Sequence, residues 1–251
     1  IVNKAKARRA KEAYTSLIED NQPVFDTLID SLLETFREPK MVADSALNFL
    51  SAGKDTTAQS FSWTLYTTMR HMDVLGPVQA EIKNKFADTN KITSTDLQPS
   101  NIPQLMALYY ESLRLYPPIP FEIQSCQQDV TFPDGTFCPA QTVIVWSIWA
   151  MNRSKDVFGE DTDDFRPSRW LDSDGNFAYK SQYEFAVFNG GVRTCLGKRM
   201  AELMAMYLFI RLLSDFSFEE TPESRKTQRL PQNSLTLPMS GGLPRYVAKA
   251  H

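Results

Sequence analysis

Apolar residues recur at helical spacing through residues 1–120, and this pattern predicts a row of amphipathic helices. In the second helix we expect Asp26 and Asp30 on the face opposite the apolar positions. No proline interrupts the third helix, so that at 1.5 Å per residue its length is roughly 45 Å, enough to cross a whole domain. The helices are predicted over residues 3–20, 23–36, 40–70, 74–86 and 102–116.

The pattern changes after residue 120, where prolines, glycines and other turn formers become frequent. Short strands are predicted around the turn Pro133-Asp134-Gly135, and a loop-rich aromatic stretch follows over 152–187. A further helix is predicted over 196–213, and short strands and turns over 216–251. The expected fold class is mainly α with small β-sheets (α+β). The predicted strands are 130–132, 135–138 and 142–146.

The composition of the chain argues against several classes of protein. The 251 residues are 42% hydrophobic and carry a formal net charge of -3, so that a strongly basic nucleic-acid surface is not expected. The three cysteines form no CxxC pair, which argues against a disulfide scaffold or a structural zinc site. The longest apolar stretch, 140–151, falls short of the roughly twenty residues that span a bilayer. Because the first residue is Ile1 rather than Met, we expect a piece of a longer chain.

The candidate chemistry lies in the segment 188–197. Cys195 directly precedes a predicted helix, where free backbone N–H groups and the helix dipole stabilise a thiolate. Arg193 adds a positive charge two residues away. Gly190 and Gly191 allow positive φ and a close approach of the backbone to a flat ligand. A thiolate held rigidly against a flat face is what a haem iron with an axial cysteine requires.

The spacing Phe188-x-x-Gly191-x-Arg193-x-Cys195-x-Gly197 resembles the haem-binding signature of the cytochrome P450 family. The resemblance covers the whole chain but only the C-terminal, haem-binding half of that fold. It implies haem b (iron protoporphyrin IX) with Cys195 as the iron ligand, and Gly197 gives clearance on the first helical turn. On this basis residues 1–251 are expected to form one partial domain, whose segments are 1–120 (helical), 121–187 (small strands and aromatic loop), 188–213 (cysteine loop and helix) and 214–251 (strands).

Two upstream segments extend the resemblance. Glu111 and Arg114 lie three residues apart on one helix face, which by itself is typical of an ordinary exposed ion pair. The Pro-x-Arg-Trp stretch that contains Arg169 resembles the segment whose arginine joins this pair in the family. The resemblance implies a buried, structural network of these three side chains behind the haem. Such a network must be complete, because an unpaired buried charge costs several kcal/mol.

The segment 52–57 lies in the middle of the long predicted helix. Gly53 costs about 1 kcal/mol there relative to Ala, and together with two adjacent threonines it predicts a locally loosened helix. A solvated helical face is the ordinary alternative. The segment resembles the family's oxygen-activating helix, which implies Asp55 as the acid and Thr56 as the hydroxyl of a proton relay. Ala52 and Gly53 would leave room for oxygen above the iron.

One departure concerns the stretch after Pro120. Many family members place an arginine there that contacts a haem propionate, whereas residues 121–126 contain none. Gln124 could donate only a neutral hydrogen bond, so that Arg193 becomes the main candidate for the propionate. The neighbouring apolar residues are expected to line a pocket for a lipophilic substrate or to pack as ordinary core. They are Ile119, Pro120, Phe121 and Ile123.

The resemblance implies a haem-thiolate monooxygenase that inserts one oxygen atom from O2 into a lipophilic substrate. Similarity to fungal and plant members suggests fatty-acid or alkane hydroxylation. Electrons would come from an NAD(P)H-dependent cytochrome reductase, for which Lys198, Arg199 and Arg193 form a docking face or are merely solvated charges. An intracellular location at the endoplasmic reticulum membrane is expected, with membrane association through the N-terminal part of the family fold that this chain does not match.

Three alternatives remain open. A haem-thiolate isomerase would need no external electrons, but the Asp55-Thr56 pair argues against it. The chain could instead be a truncated haem-thiolate fragment with no activity of its own. A cysteine-nucleophile enzyme would need a base, and the only histidines are His71, which we place in a helix, and His251 at the last position.

Overall fold

The computed structural model describes residues 2–7, 27–243 and 246–250. They belong to two compact units, Ile1–Asp55 and Thr56–His251. Residues 2–7 are helical, and the rest of the predicted first helix lies outside the described residues. The remaining helices are α1 (Leu28–Thr35), α2 (Pro39–Arg70), α3 (Leu75–Lys85), α4 (Pro103–Leu115), α5 (Ile148–Met151), α6 (Lys155–Phe158), α7 (Lys198–Asp215) and α8 (Pro222–Arg225).

In the first unit, α1 begins at a capping box. Thr27 accepts a hydrogen bond from the Asp30 backbone N–H, and the Asp30 carboxylate accepts from the Thr27 backbone N–H at 3.1 Å. Asp30 is therefore 1% exposed, and its expected place on the polar outer face was wrong. Asp26 lies outside the described residues. The prediction treated Asp30 as a helix-interior residue, whereas its position three residues after Thr27 makes it part of the cap.

The long helix predicted over 40–70 is confirmed as α2, which is helical at every residue from Pro39 to Arg70. The expected loosening near Gly53 was wrong. The hydroxyls of the second half donate to carbonyls one turn back, as Ser62 does to Ala58 at 2.8 Å and Thr64 to Ser60 at 2.7 Å. A carbonyl oxygen has two lone pairs, so that it accepts the hydroxyl in addition to the helical N–H.

The core of the second unit is built around α4. Every residue from Leu105 to Leu115 is buried, and α4 packs against α3 and the 3₁₀ turn Pro167–Trp170. The helix α3 in turn contacts α7. Pro103 occupies the first turn, where no helical N–H is lost. The helices predicted over 74–86, 102–116 and 196–213 are thus confirmed as α3, α4 and α7. Because Gly197 is the N-cap of α7, that helix begins two residues later than predicted.

Three two-stranded antiparallel sheets occur in the described ranges. Strands occur in each of the predicted ranges 130–132, 135–138 and 142–146. The strand that pairs with the last of them was not predicted. That partner is the first strand, where apolar and polar residues alternate from Phe121 to Ser125. The pairs are β1 (Phe121–Ser125) with β4 (Val143–Ser147), β2 (Val130–Thr131) with β3 (Phe137–Cys138), and β5 (Phe216–Glu220) with β6 (Tyr246–Ala250).

The fold class predicted from the sequence is confirmed, since helices dominate and the sheets are small. Between β4 and α7 the chain is mostly loop, as predicted for residues 152–187, with only short helical turns. In the described ranges no helix combines the length and the apolar composition needed to cross a bilayer.

Candidate functional site

The cysteine loop, residues 188–197, leads directly into α7. Its ends are joined by a hydrogen bond of 2.7 Å from the Cys195 backbone N–H to the Phe188 carbonyl. The Cys195 carbonyl in turn accepts from the Lys198 N–H at 3.3 Å, at the start of the helix. The backbone on both sides of Cys195 is therefore fixed while the thiol itself is exposed. An exposed sulfur on a fixed backbone can ligate a metal without rearrangement of the loop.

Two residues of the loop adopt the left-handed conformation. They are Asn189 at φ 58° and Gly191 at φ 59°. Gly190 does not, since its φ is -149°, so that the expectation of positive φ at both glycines was wrong for Gly190. The reason for glycine there is space, because a Cβ at Gly190 would lie 3.1 Å from the Gln182 side chain.

Gln182 is a supporting residue that sequence reasoning missed. Its Oε1 accepts a hydrogen bond from the Gly191 N–H at 3.1 Å, which ties the turn of the cysteine loop to the preceding segment. Nothing in the sequence pattern points to Gln182, because the contact depends on how the segment before the loop folds back. Asn189 could have been found, since Asn-Gly is a turn signal and Asn tolerates positive φ.

The surroundings of Cys195 fit a flat apolar group. The apolar side chains beside it project into solvent, with Val192 fully exposed, Leu196 82% exposed and Met200 66% exposed. Any side chain at Gly197 would stand against the Cys195 sulfur, since a Cβ there lies 3.9 Å from Sγ. Exposed apolar residues beside a thiol are what a porphyrin face would cover.

The charge near the sulfur also fits a haem. Arg193 is exposed and makes no ion pair with any residue that the structure describes, so it is available for a propionate. The described residues contain no cluster of three or more potential metal-ligating side chains. A haem iron needs only one ligand from the protein, because the porphyrin supplies the other four. Cys195 is therefore a sufficient donor set for this group.

Glu111 lies at the centre of a buried polar network. Its carboxylate accepts from Arg114 Nε and Nη2 at 2.8 Å each, in a bidentate pair, and from Arg169 Nε at 2.9 Å. The Arg166 backbone N–H and the Trp170 indole N–H complete the set at 2.9 and 3.0 Å. The structure thus brings together the three side chains expected to form a network, and Glu111 and Arg114 are not an exposed pair.

The two arginines also bind the segments on both sides of α6. Arg114 Nη1 donates to the carbonyls of Asn152 and Thr162 at 2.9 and 2.6 Å. Arg169 Nη1 donates to Asp161 Oδ1 at 3.0 Å, and this bond lowers the pKa of the Asp161 carboxyl. Nearly every donor therefore has a partner, as buried charges require. The network fixes these segments against α4.

Trp170 connects this network to the segment that precedes the cysteine loop. Its indole N–H binds Glu111, and its ring packs on Phe185 with 4.7 Å between centroids. Phe185 is buried three residues before Phe188, where the cysteine loop begins. Sequence reasoning did not assign Trp170 a role. The signal available was an aromatic residue directly after Arg169, which predicts a buried ring near that arginine.

The segment predicted to handle oxygen and protons lies in the middle of α2. Ala52, Gly53 and Asp55 are exposed, and a Cβ at Gly53 would meet no atom within 4 Å. The space beside Gly53 is therefore open in the part of the chain that the structure describes. Asp55 Oδ1 lies 3.9 Å from Lys54 Nζ, and both side chains are exposed. Thr56 follows directly and is partly buried.

The sheet of β1 and β4 presents an apolar face to solvent. Phe121 and Ile123 are 56% and 60% exposed, and Val143 and Val145 on the paired strand are exposed to the same degree. In the register of the sheet Ile123 lies opposite Val145. The two other residues expected to line a pocket differ, since Ile119 is partly buried and Pro120 is buried. The strand residues are therefore the ones available to a lipophilic ligand.

The basic residues at the start of α7 are only partly available to a partner. Lys198 Nζ and Arg199 Nη1 lie 4.0 and 3.7 Å from the buried Glu202 carboxylate. Lys198 also lies over the Tyr179 ring at 4.5 Å. His71, expected in a helix, lies just past the end of α2. Its ring contacts the Phe165 ring at 4.9 Å between centroids, and burial lowers its pKa. His251 lies outside the described residues.

Comparison with known proteins gives a consistent family. Residues 5–244 match the family described as Cytochrome P450. The chain is 33% identical over 210 residues to the alkane hydroxylase MAH1 of Arabidopsis thaliana, with 84% of this chain and 40% of that protein covered. It is 34% identical to a cytochrome P450 of Arthroderma benhamiae, with 96% and 50% covered. It is 32% identical to cytochrome P450 52A1 of Candida tropicalis, with 92% and 42% covered. The chain thus spans half or less of these relatives.

Proposed function

The chain belongs to the cytochrome P450 family, and we propose that it forms the haem-binding half of a haem-thiolate monooxygenase in which Cys195 ligates the iron. The observation that carries the proposal is the exposed Cys195 thiol on a backbone fixed at both sides, beside exposed apolar residues. The exposed Arg193 adds a cation for a propionate. Because the chain spans half or less of its relatives, the activity is proposed for the longer protein rather than for this segment alone.

The haem would supply the oxygen chemistry, which a cysteine thiolate ligand would promote. The chain's own part is to hold Cys195 in place. The hydrogen bond from its backbone N–H to Phe188, the tie from Gln182 to Gly191, and the packing of Trp170 on Phe185 fix the loop from three sides. The Glu111 network keeps Trp170 in position through the indole N–H. A fixed sulfur ligates the iron with no cost of ordering the loop.

Proton delivery is the proposed role of Asp55 and Thr56. Splitting O2 consumes two protons, and a carboxylate next to a hydroxyl can pass them on from water. Asp55 is exposed, so that water reaches its carboxylate, and Thr56 is the next residue along the helix. Ala52 and Gly53 are small and exposed, so that this face of α2 would leave room for a diatomic ligand.

The proposed substrate class is lipophilic. Its support is the exposed apolar face of β1 and β4, where Phe121, Ile123 and Val145 lie side by side. A relative whose name is alkane hydroxylase agrees with a fatty-acid or alkane substrate. We extend the proposal to an NAD(P)H-dependent reductase as electron donor and to the endoplasmic reticulum membrane as the site of the longer protein.

The haem ligand is tested by titrating the purified chain with haem and following the absorption of bound haem. Cys195→Ala should abolish tight one-to-one binding or change its spectrum. The matched controls are Cys126→Ala and Cys138→Ala, since both of those cysteines are partly buried and lie on or beside the β2–β3 hairpin. Equal binding by Cys195→Ala and the wild type would contradict the proposed ligand.

The relay is tested in the longer protein with Thr56→Val, and Thr57→Val serves as the control on the neighbouring residue. Loss of the Thr56 hydroxyl should uncouple the reaction, so that O2 and reductant are consumed while product per O2 falls. The measurement is the ratio of product formed to O2 consumed. The proposed role of Thr56 fails when both variants keep the wild-type ratio.

A further inference from the structure

Tyr110 is one of two buried tyrosines on α4 that the proposed function does not use. It lies on α4 with 1% of its surface exposed, and its hydroxyl donates to Glu202 Oε1 at 2.5 Å. Glu202 lies on α7 and is 3% exposed. A phenol and a carboxylate at this distance form a charge-assisted hydrogen bond in a site closed to solvent.

Three further side chains lie near the Glu202 carboxylate. Lys198 and Arg199, on the same helix, bring positive charge to within 4.0 and 3.7 Å of its oxygens. The Tyr179 hydroxyl lies 3.4 Å from Oε1. The two cations offset the cost of burying the negative charge. Glu202 is therefore held as the hydrogen-bond acceptor of the Tyr110 hydroxyl.

A cluster of aromatic rings surrounds Tyr110. It extends from Phe188, at the start of the cysteine loop, to Tyr179, which is 48% exposed. The centroid of the Tyr110 ring lies 6.2 Å from that of Phe188 and 5.5 Å from that of Tyr179. The Trp170 ring lies 5.3 Å away. The oxidisable rings are Tyr110, Trp170 and Tyr179, and Tyr110 lies next to the Phe188 ring at the start of the cysteine loop.

The surroundings of Tyr110 prevent loss of its proton in the resting protein but allow it once an electron is removed. Burial and the charge of Glu202 raise the pKa of Tyr110 far above its ordinary value, so that the phenol stays protonated at neutral pH. Removal of an electron reverses this, because a phenol radical cation is a strong acid and passes its proton to a hydrogen-bonded base. Glu202 is that base, at 2.5 Å.

The adjacent tyrosine shows that burial alone does not build such a site. Tyr109 is equally buried on the same helix, but its hydroxyl donates to the Ser60 hydroxyl at 3.2 Å. Serine is too weak a base to take the proton. Tyr109 therefore provides a matched comparison within the same chain.

We propose that Tyr110 and Glu202 form a proton-coupled redox site, which accepts an oxidising equivalent from a one-electron oxidant of high potential. In the forward step Tyr110 gives one electron to the oxidant, and its O–H proton moves to Glu202. The products are a neutral tyrosyl radical, protonated Glu202 and the reduced oxidant. A one-electron reductant at the surface, reached through Tyr179, would return the electron while the proton moves back to Tyr110. The site would drain stray oxidising equivalents away from the cysteine loop.

The test needs no haem, so that its result is independent of the proposed iron ligand. A ruthenium(III) trisbipyridyl complex is generated by a laser flash in the presence of a sacrificial acceptor and the purified 251-residue chain. Radicals are trapped by freezing and measured by electron paramagnetic resonance. The wild type should give a persistent tyrosyl signal. Tyr110→Phe should lose most of it, and Tyr109→Phe should keep it.

The proton acceptor is tested by Glu202→Gln, which keeps the size of the side chain but removes its basicity. The yield of the persistent radical should fall. In the wild type, formation of the persistent radical should be slower in D2O than in H2O, because the Tyr110 O–H proton moves together with the electron. An undiminished signal in Tyr110→Phe, or equal rates in the two solvents, would overturn the proposal.

Discussion

Glu111→Gln hardly changes the size of the side chain, yet among such substitutions it should lower the stability of the second unit most. The carboxylate is fully buried and accepts five hydrogen bonds, two of them from Arg114 and one from Arg169. A glutamine retains one acceptor oxygen and turns an NH2 group towards donors. The exposed fractions of the Arg114 and Arg169 side chains are 0% and 4%, so that neither cation can turn to solvent.

The expected cost follows from the loss of the buried counter-charge. Removing one partner of a buried pair costs about 3–5 kcal/mol, because the other charge stays uncompensated. With a slope of about 3 kcal/mol per M, the urea midpoint of unfolding should fall by roughly 1–1.7 M. The assay is urea unfolding followed by tryptophan fluorescence, since Trp170 lies against Glu111.

The control for this prediction is Glu160→Gln. Glu160 pairs with Lys155 at 2.7 Å, but the two side chains are 85% and 63% exposed. Exposed pairs contribute at most about 1 kcal/mol, so that this variant should unfold close to the wild type. If Glu111→Gln unfolded at the same urea concentration as Glu160→Gln, the reasoning about the buried network would be refuted.

Two further substitutions test the framework around α4. Glu81 accepts the first free N–H groups of α4 at 2.9 and 3.0 Å, and Glu81→Ala should cost about 0.5–2 kcal/mol, measured by urea unfolding. Burial raises the pKa of Glu81 above its ordinary value of 4.5, so that its contribution is complete below that pH and declines as pH rises through the folded-state pKa. The cost should therefore be larger at pH 4 than at pH 7. An equal cost at the two pH values would contradict the effect of burial, and no cost at either pH would contradict the cap. Trp63→Phe leaves the buried Leu237 carbonyl without the indole donor at 2.8 Å, and the expected loss of about 1–3 kcal/mol should be absent in Ser62→Ala, an exposed neighbour on α2.

The sequence predicted the elements whose pattern is local. The long α2, the buried α4 and the position of Cys195 before α7 follow from helical periodicity and from the spacing of one motif. The strand β1 escaped prediction even though Phe121 and Ile123 alternate with polar residues. Those apolar residues face solvent, so that the usual link between an apolar face and the core does not hold for them.

Contacts between distant segments could not be predicted from the pattern. Gln182 reaches Gly191 only because the chain folds back before the cysteine loop, and Trp170 meets Glu111 across 59 residues of sequence. Tyr110 and Glu202 are 92 residues apart, and neither carries a local signal beyond its residue type. Residue types limit which groups can pair, whereas the packing of helices decides which ones do.

The central claim is that Cys195 is the thiolate ligand of a haem iron. It is tested most directly by the absorption spectrum of the haem-loaded, reduced chain under carbon monoxide. The account predicts a Soret band at the red-shifted position of thiolate-ligated haem, which is retained in Cys126→Ala and lost in Cys195→Ala. A red-shifted band that survives in Cys195→Ala, or a wild-type spectrum without that band, would contradict it.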